Sequence, residues 1–258
     1  MTDSADDKVL IERRGAVQVI TINRPQARNA LDAAVARAVA AAVDELDASD
    51  ELRVGVLTGA GGFFSAGMDL KAFLRGETPS IEGRGLCGIT RTPPRKPLIA
   101  AVEGGALAGG FELVLACDLV VAGRGARFGV PEVKRSLVAA GGAALLLPQR
   151  MPRAVALELL LTGEPMDAER AAAVGLVNRV VDDGTAVDAA VALADGIAAN
   201  GPLAVAATKQ IVLSLPSWAP GEEWDRQEEI IRPVFESEDA REGSTAFAER
   251  RPPVWRGR

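Results

Sequence analysis

Gly104-Gly105-Ala106-Leu107-Ala108-Gly109-Gly110-Phe111-Glu112-Leu113-Val114-Leu115-Ala116-Cys117-Asp118 is the stretch on which the reading of this chain turns. The apolar run Leu98 to Val102 before it predicts a buried strand, the glycines a tight passage, and the apolar residues from Phe111 onward a helix. Gly109 lets the backbone come close to a ligand. Glu112 stands one turn into that helix among apolar neighbours. A carboxylate there is costly unless it is paired or used, and burial would raise its pKa toward the acid–base range. From these residues alone both readings stay open: a pair with an arginine such as Arg127, or chemistry.

The same strand–glycine–helix pattern occurs upstream. Val54 to Thr58 predicts a strand, Gly59 to Gly67 a glycine-rich loop, and Asp69 the start of a helix. Backbone amides at such a junction suit an anion or a developing oxyanion, although many glycine-rich turns are plain connections. The Gly-Lys-Ser/Thr ending of a nucleotide-phosphate loop is missing. Downstream, Ala126-Arg127-Phe128-Gly129-Val130-Pro131-Glu132 precedes Gly141-Gly142. Glu132, after a proline at the end of an expected strand, reads by itself as a surface loop residue.

Around these segments the pattern is α/β. Val9 to Arg13 and Val17 to Ile22 read as paired strands about Arg14-Gly15. A helix is expected from about Leu31 to Leu46 with Asp32 in its first turn, where a negative charge suits the dipole. Leu119 to Val121 and Val177 to Val181 are further strands. Strands separated by helical crossovers imply substantial parallel pairing. Gly76 to Arg95, rich in glycine, proline and charge, reads as a mobile region beside the site. After about residue 195 only helices are expected, from Gly201-Pro202 through Leu213, from Glu222 to Phe235 and from Glu238 to Arg250. The chain therefore divides into a core, 1–195, and a helical C-terminal region, 196–258.

Composition removes several chemistries. The chain has 258 residues, 48% hydrophobic and 25% charged, and it contains no histidine and no tyrosine. That excludes Ser-His-Asp and Cys-His catalysis, histidine-ligated metals and tyrosine acids. Proton carriers must come mainly from Asp, Glu and Lys. Cys87 and Cys117, isolated from each other, make neither a zinc site nor a disulfide framework. The net charge of −6, without basic runs, argues against nucleic-acid binding. No apolar run reaches the ~20 residues of a membrane span. Met1 to Asp7 is acidic and carries no apolar leader. Both point to the cytoplasm.

Taken together, three segments resemble the crotonase (enoyl-CoA hydratase/isomerase) family. Phe64-Ser65-Ala66-Gly67-Met68-Asp69 resembles its F-x-A-G-x-D loop, Ala106 through Glu112 its second loop and first glutamate, and Phe128 through Glu132 the segment of its second glutamate. The glutamates stand 20 residues apart, as in the hydratases that carry both. Asn23-Arg24-Pro25, Asn29-Ala30-Leu31 and Glu242 through Phe247 extend the resemblance over nearly the whole chain.

The resemblance implies a spiral of ββα turns with a helical C-terminus that trimerises, often into a hexamer. It implies an oxyanion hole from the amides of Met68 and Gly109, with Glu112 acting as base on a water and Glu132 handling the α-proton. Coenzyme A, part of the substrate rather than a cofactor, would lie against Ala27, Arg28, Ala66, Asp69, Leu70, Lys71, Ile231 and Arg250; no metal is implied. The implied reaction is reversible hydration of a 2-enoyl-CoA. A carnitinyl-CoA dehydratase-type reaction, an enoyl-CoA isomerisation and an idle acyl-CoA-binding protein are the alternatives. The loop from Glu132 to Gly141-Gly142 is one residue shorter than in typical hydratases and lacks their Pro-Gly pair. Ile231 stands where they often carry phenylalanine, and Arg250 replaces a lysine. These changes bear on acyl specificity.

Overall fold

Residues at alternate positions along four buried strands decide which helix covers which face of the central sheet. The computed structural model describes residues 8–258; the Met1 to Asp7 segment, expected to hold no leader, lies outside the described residues. In chain order come strands β1 (Val9–Arg14) and β2 (Val17–Ile22), helix α1 (Ala33–Ala48), β3 (Val54–Gly59), the short α2 (Leu70–Leu74), and the hairpin strands β4 (Ser80–Ile81) and β5 (Gly85–Leu86). Then follow β6 (Leu98–Val102), β7 (Gly105–Leu107), α3 (Gly109–Ala116), β8 (Leu119–Gly123), β9 (Arg127–Gly129), α4 (Ala143–Arg150) and α5 (Arg153–Thr162). The chain continues through β10 (Met166–Asp167), α6 (Ala168–Ala173), β11 (Arg179–Val181) and α7 (Ala186–Ala198), and closes with α8 (Pro202–Ser214), α9 (Glu223–Phe235) and α10 (Glu238–Glu249).

The main sheet has the order β1-β2-β3-β6-β8-β11, antiparallel only between β1 and β2. Val17, Val19, Val54, Val56, Ile99, Ala101 and Val121 point to one face and pack on Ala186, Ala190 and Ala194 of α7. Alanine at every fourth position of that helix lets it lie close to the sheet. Ile20, Ile22, Leu57, Leu98, Ala100, Val102, Val120 and Ala122 point to the other face, into the larger core with α1 and the rings of Phe64, Phe111 and Phe128. This is the period-two pattern of a sheet covered on both sides. A second sheet, β10-β9-β7, stands beside it, with β7 and β9 parallel.

The expected elements are present within one to a few residues at their ends. Asp32 is the N-cap of α1 itself, accepting from the amides of Ala34 and Val35 at 3.0 and 2.9 Å. The segment Gly76 to Arg95 is more ordered in its packing than its composition suggests. It carries the β4–β5 hairpin, and Leu86, Cys87 and Ile89 are buried, because three apolar side chains among the glycines and prolines find the core. The helix α7 runs on through residue 195 to Ala198 before the turn into α8. No single helix of the described residues is long and apolar enough to cross a membrane.

Candidate active site

Hydrogen bonds between short, non-adjacent backbone segments bring the singled-out residues together. Phe64 N donates to Glu103 O at 2.9 Å, Ser65 N to Gly105 O at 3.0 Å and Leu107 N to Ser65 O at 2.9 Å. The loop before Met68 thus runs parallel to the strand before Gly109. Ala108 N donates to Gly129 O at 2.9 Å, which ties the same strand to the one that leads into Glu132. Gly67, at φ +88°, packs directly against the second loop: a Cβ there would lie 2.8 Å from Gly109 N. Only glycine allows that contact. Among the described residues, the amides of Met68 and Gly109 donate to no protein acceptor. Two unpaired amides on adjoining loops form the geometry expected for holding a carbonyl oxygen as it gains charge.

A charged cluster braces the Met68 side. Asp69 caps α2, its Oδ1 accepting from Lys71 N and Ala72 N, while its Oδ2 takes Arg24 Nη2 at 2.9 Å. Arg24 also donates to Ala30 O at 2.6 Å and pairs with Asp32 at 3.4 Å. Lys8 closes the cluster on Asp32 at 3.0 Å. Leu31 N donates to Gly67 O and Asp69 N to Leu31 O, both at 2.8 Å, so Met68 sits between two fixed hydrogen bonds. Asn29 is fully buried and joins the loops by donating to Ala60 O and Phe63 O. The Asp69 carboxylate is therefore committed to the fold.

Glu112 is 4% exposed. The arginine that could have paired with it does not: Arg127 is exposed and faces Asp167 at 3.9 Å. Glu112 instead accepts from the amide of Ala143 at 3.1 Å, with the Gly141 and Gly142 amides also turned to its carboxylate. A Cβ on Gly141 would collide with Glu112 Oε2. Burial raises the pKa of Glu112 and these amides oppose the rise.

Glu132 lies in a single 3-10 turn, Pro131–Arg135. It is half-buried rather than a free surface residue. Its Oε2 is buried without a hydrogen-bond partner. Its pKa is raised, first by burial, which outweighs a lowering by its own backbone amide; the charge of Glu112 adds to the rise and Arg135 opposes it.

The residues expected at coenzyme A divide into two groups. Ala66 N donates to Arg28 O at 2.9 Å, so Ala27-Arg28 and Ala66 lie side by side, with the Arg28 guanidinium 5.9 Å from the Phe63 ring centre. Leu70 and Lys71 follow on the exposed side of α2. Together they form a continuous ridge beside the Met68 amide. Ile231 and Arg250 are not brought to it. They sit on α9 and at the C-terminal cap of α10, elements that pack on α8 and on each other. Residues that the sequence did not single out are also present. Leu86 Cδ2 lies close to Gly109 and to Gly141, and the Gly141 to Ala143 amides hold Glu112. The glycine pair before an apolar helix was the signal for those amides; for Leu86 there was none.

The family model for enoyl-CoA hydratase/isomerase matches residues 12–258. The enoyl-CoA hydratase EchA19 of Mycobacterium tuberculosis is 43% identical over 256 residues, covering 96% of this chain and 96% of its own length. A carnitinyl-CoA dehydratase of Salmonella enteritidis is 43% identical over 257 residues, covering 96% and 98%. The crystal structure of enoyl-CoA hydratase EchA1 from Mycobacterium marinum superposes with a TM-score of 0.96 at 58% identity, over 98% of this chain and 100% of the other. Matched over nearly its whole length in sequence and in fold, this chain belongs to the enoyl-CoA hydratase/isomerase (crotonase) family and is an enzyme of acyl-CoA chemistry.

Proposed function

We propose that the enzyme reversibly hydrates a 2-enoyl-CoA to the 3-hydroxyacyl-CoA, with Glu112 and Glu132 as the acid–base pair. The observation that carries this reading is the buried, partnerless Oε2 of Glu132. A buried carboxylate oxygen without a partner is unfavourable unless a reacting group supplies one. Glu112, whose carboxylate accepts from the Ala143 amide, acts as base on the water. Glu132, whose proton is favoured by burial and by the neighbouring negative charge, delivers hydrogen to the α-carbon. The thioester oxygen binds the Met68 and Gly109 amides, which act most strongly as the enolate forms. The nucleotide end of coenzyme A follows the ridge of Ala27, Arg28, Ala66, Leu70 and Lys71.

The side chains nearest Gly109 are aliphatic, Leu86 and Leu31, and Leu86 also lies beside Gly141. A hydrocarbon acyl group suits such walls. A trimethylammonium group, as a carnitinyl thioester carries, is best recognised by aromatic faces. Isomerisation needs only one proton carrier, and two are present. The homotrimer or hexamer finds support in the C-terminal helices, where Trp224, Phe235 and Phe247 are each at least 75% exposed. Loss of enoyl absorbance on crotonyl-CoA, with a carnitine-derived enoyl-CoA as comparison, is the deciding assay. Turnover of the second substrate alone would replace the hydratase reading.

A further inference from the structure

The two helices that meet at Glu112 are clasped at both ends. At one end, Glu112 in the first turn of α3 receives the N-terminal amides of α4. At the other, Arg150 in the last turn of α4 donates from Nη1 to Cys117 O at 2.8 Å and to Leu115 O at 3.2 Å, and from Nη2 to Asp118 O at 3.5 Å. Those are the closing carbonyls of α3 and its exit. Each helix therefore offers its charged side chain to the opposite pole of its neighbour: an anion at the amide end of α4, a cation at the carbonyl end of α3. Ala143 and Arg150 are separated by about 10 Å along α4, so two remote contacts set how α4 lies against α3. Gly142, the N-cap of α4, provides no side-chain cap of its own.

We propose that Arg150 is a positioning residue for the reaction: by clamping the end of α3 it holds the first turn of α4 on the Glu112 carboxylate and keeps that carboxylate in place as the base. The inference rests on the reading of Glu112 given above. The amides favour the ionised form, so loosening them removes the term that opposes burial. The charged groups that could compete are few. Glu132 faces Glu112 from its 3-10 turn, and Arg135 acts on Glu132. Leu86, from the packed β5 hairpin, is apolar, and the Ala143 end of α4 offers backbone amides only. If the clamp loosens, Glu112 gains proton affinity and the base is lost at a higher pH than before.

Arg150→Met and Arg150→Lys test this, with the 13C carboxyl resonance of Glu112 in the free enzyme followed against pH and assigned by its absence in Glu112→Gln. Arg150→Met is expected to raise the midpoint by about half a unit to one unit. The acid limb of the kcat/KM profile should rise in parallel, with KM nearly unchanged. Arg150→Lys should recover most of the shift, since it keeps the cation but not the fork. A folded Arg150→Met enzyme with an unmoved Glu112 midpoint overturns the proposal. Should that variant not fold, Arg150→Gln, which removes the cation and keeps a polar side chain, carries the test, and a midpoint identical to wild type in it overturns the proposal equally. The resonance titrates whether or not the enzyme hydrates an enoyl-CoA. A wild type without hydratase activity would thus sink the function and leave the clamp to be judged on its own.

Discussion

The core around the two glycine loops and the three C-terminal helices follow opposite logics of burial. In the core, Phe64, Phe111 and Phe128 are fully buried, and Ser65, Asn29 and Glu112 are inside with them. In the C-terminal region, α8 and α9 bury no residue fully, and α10 buries only Asp239 and Ala246. Those helices are tied to the body by a few polar contacts. Lys209 of α8 pairs with Asp118 at 2.6 Å and donates to Lys96 O at 2.9 Å; within the region itself, Trp255 donates to Ala199 O at 2.8 Å and Asp239 accepts from the amides of Arg256 and Gly257. The comparison teaches that the two amides and the two glutamates are positioned by the core alone, whereas the C-terminal region, which carries Ile231 and Arg250, has apolar surface that a monomer leaves unused. Exposed apolar patches of this kind mark association.

The largest effect should come from crowding the site. Gly109→Val places a side chain toward Leu86 and Leu31, whose atoms lie 3.2 and 3.5 Å from a Cβ at that position. Turnover should fall by about a thousandfold, with circular dichroism and assembly retained. Met68→Ala, which leaves the amide in place, should keep most activity. Equal damage from both substitutions would mean that the Met68 side chain takes part in the reaction.

Removal of a carboxylate comes next. Glu112→Gln and Glu132→Gln should each lower kcat by about a hundredfold or more while a saturated acyl-CoA still binds. The same substitutions should affect stability in the other direction. Glu132 has a raised folded-state pKa, so the folded chain holds a proton that the unfolded chain has already released. Stability is then lost as pH rises from the unfolded-state pKa, about 4.3, through the folded one. Glu132→Gln should accordingly melt higher than wild type at neutral pH and lose that advantage below about pH 4. A lower Tm at pH 7 would show that the carboxylate is stabilised by contacts the structure does not contain.

For the C-terminal region, Phe247→Glu sharpens the comparison, since that ring is 87% exposed and has little to lose in a single chain. It should reduce the mass seen by light scattering without loss of helix. A wild-type protein that is monomeric at micromolar concentration would remove the explanation for the exposed rings. The smallest effect is expected at Ala108, which precedes the Gly109 amide at φ +51° and ψ −128°. Ala108→Gly relieves a strain of ~1–3 kcal/mol and adds ~0.5–1 kcal/mol of unfolded-chain entropy. The net gain should be about 1 kcal/mol, read as a small rise in Tm.

By itself the sequence determined the strands, the helices and the two glycine loops, because apolar periodicity and glycine placement are local signals. β2 and β6 begin and end where the apolar runs do. The absence of histidine left Asp, Glu and Lys as the main proton carriers, and the resemblance singled out Glu112 and Glu132. What only the tertiary structure decided is the surroundings of those two carboxylates. Glu132 reads as a loop residue until the turn after β9 folds it toward Glu112. Glu112 reads equally as a partner of Arg127 until that arginine is seen to face Asp167. The amides of Gly141 to Ala143 and the Leu86 wall lie 26 or more positions from Glu112, and Arg150 lies more than 30 positions from the carbonyls it binds. No local pattern encodes such pairings, because burial, hydrogen-bond direction and charge at those sites depend on which segments the fold has placed side by side.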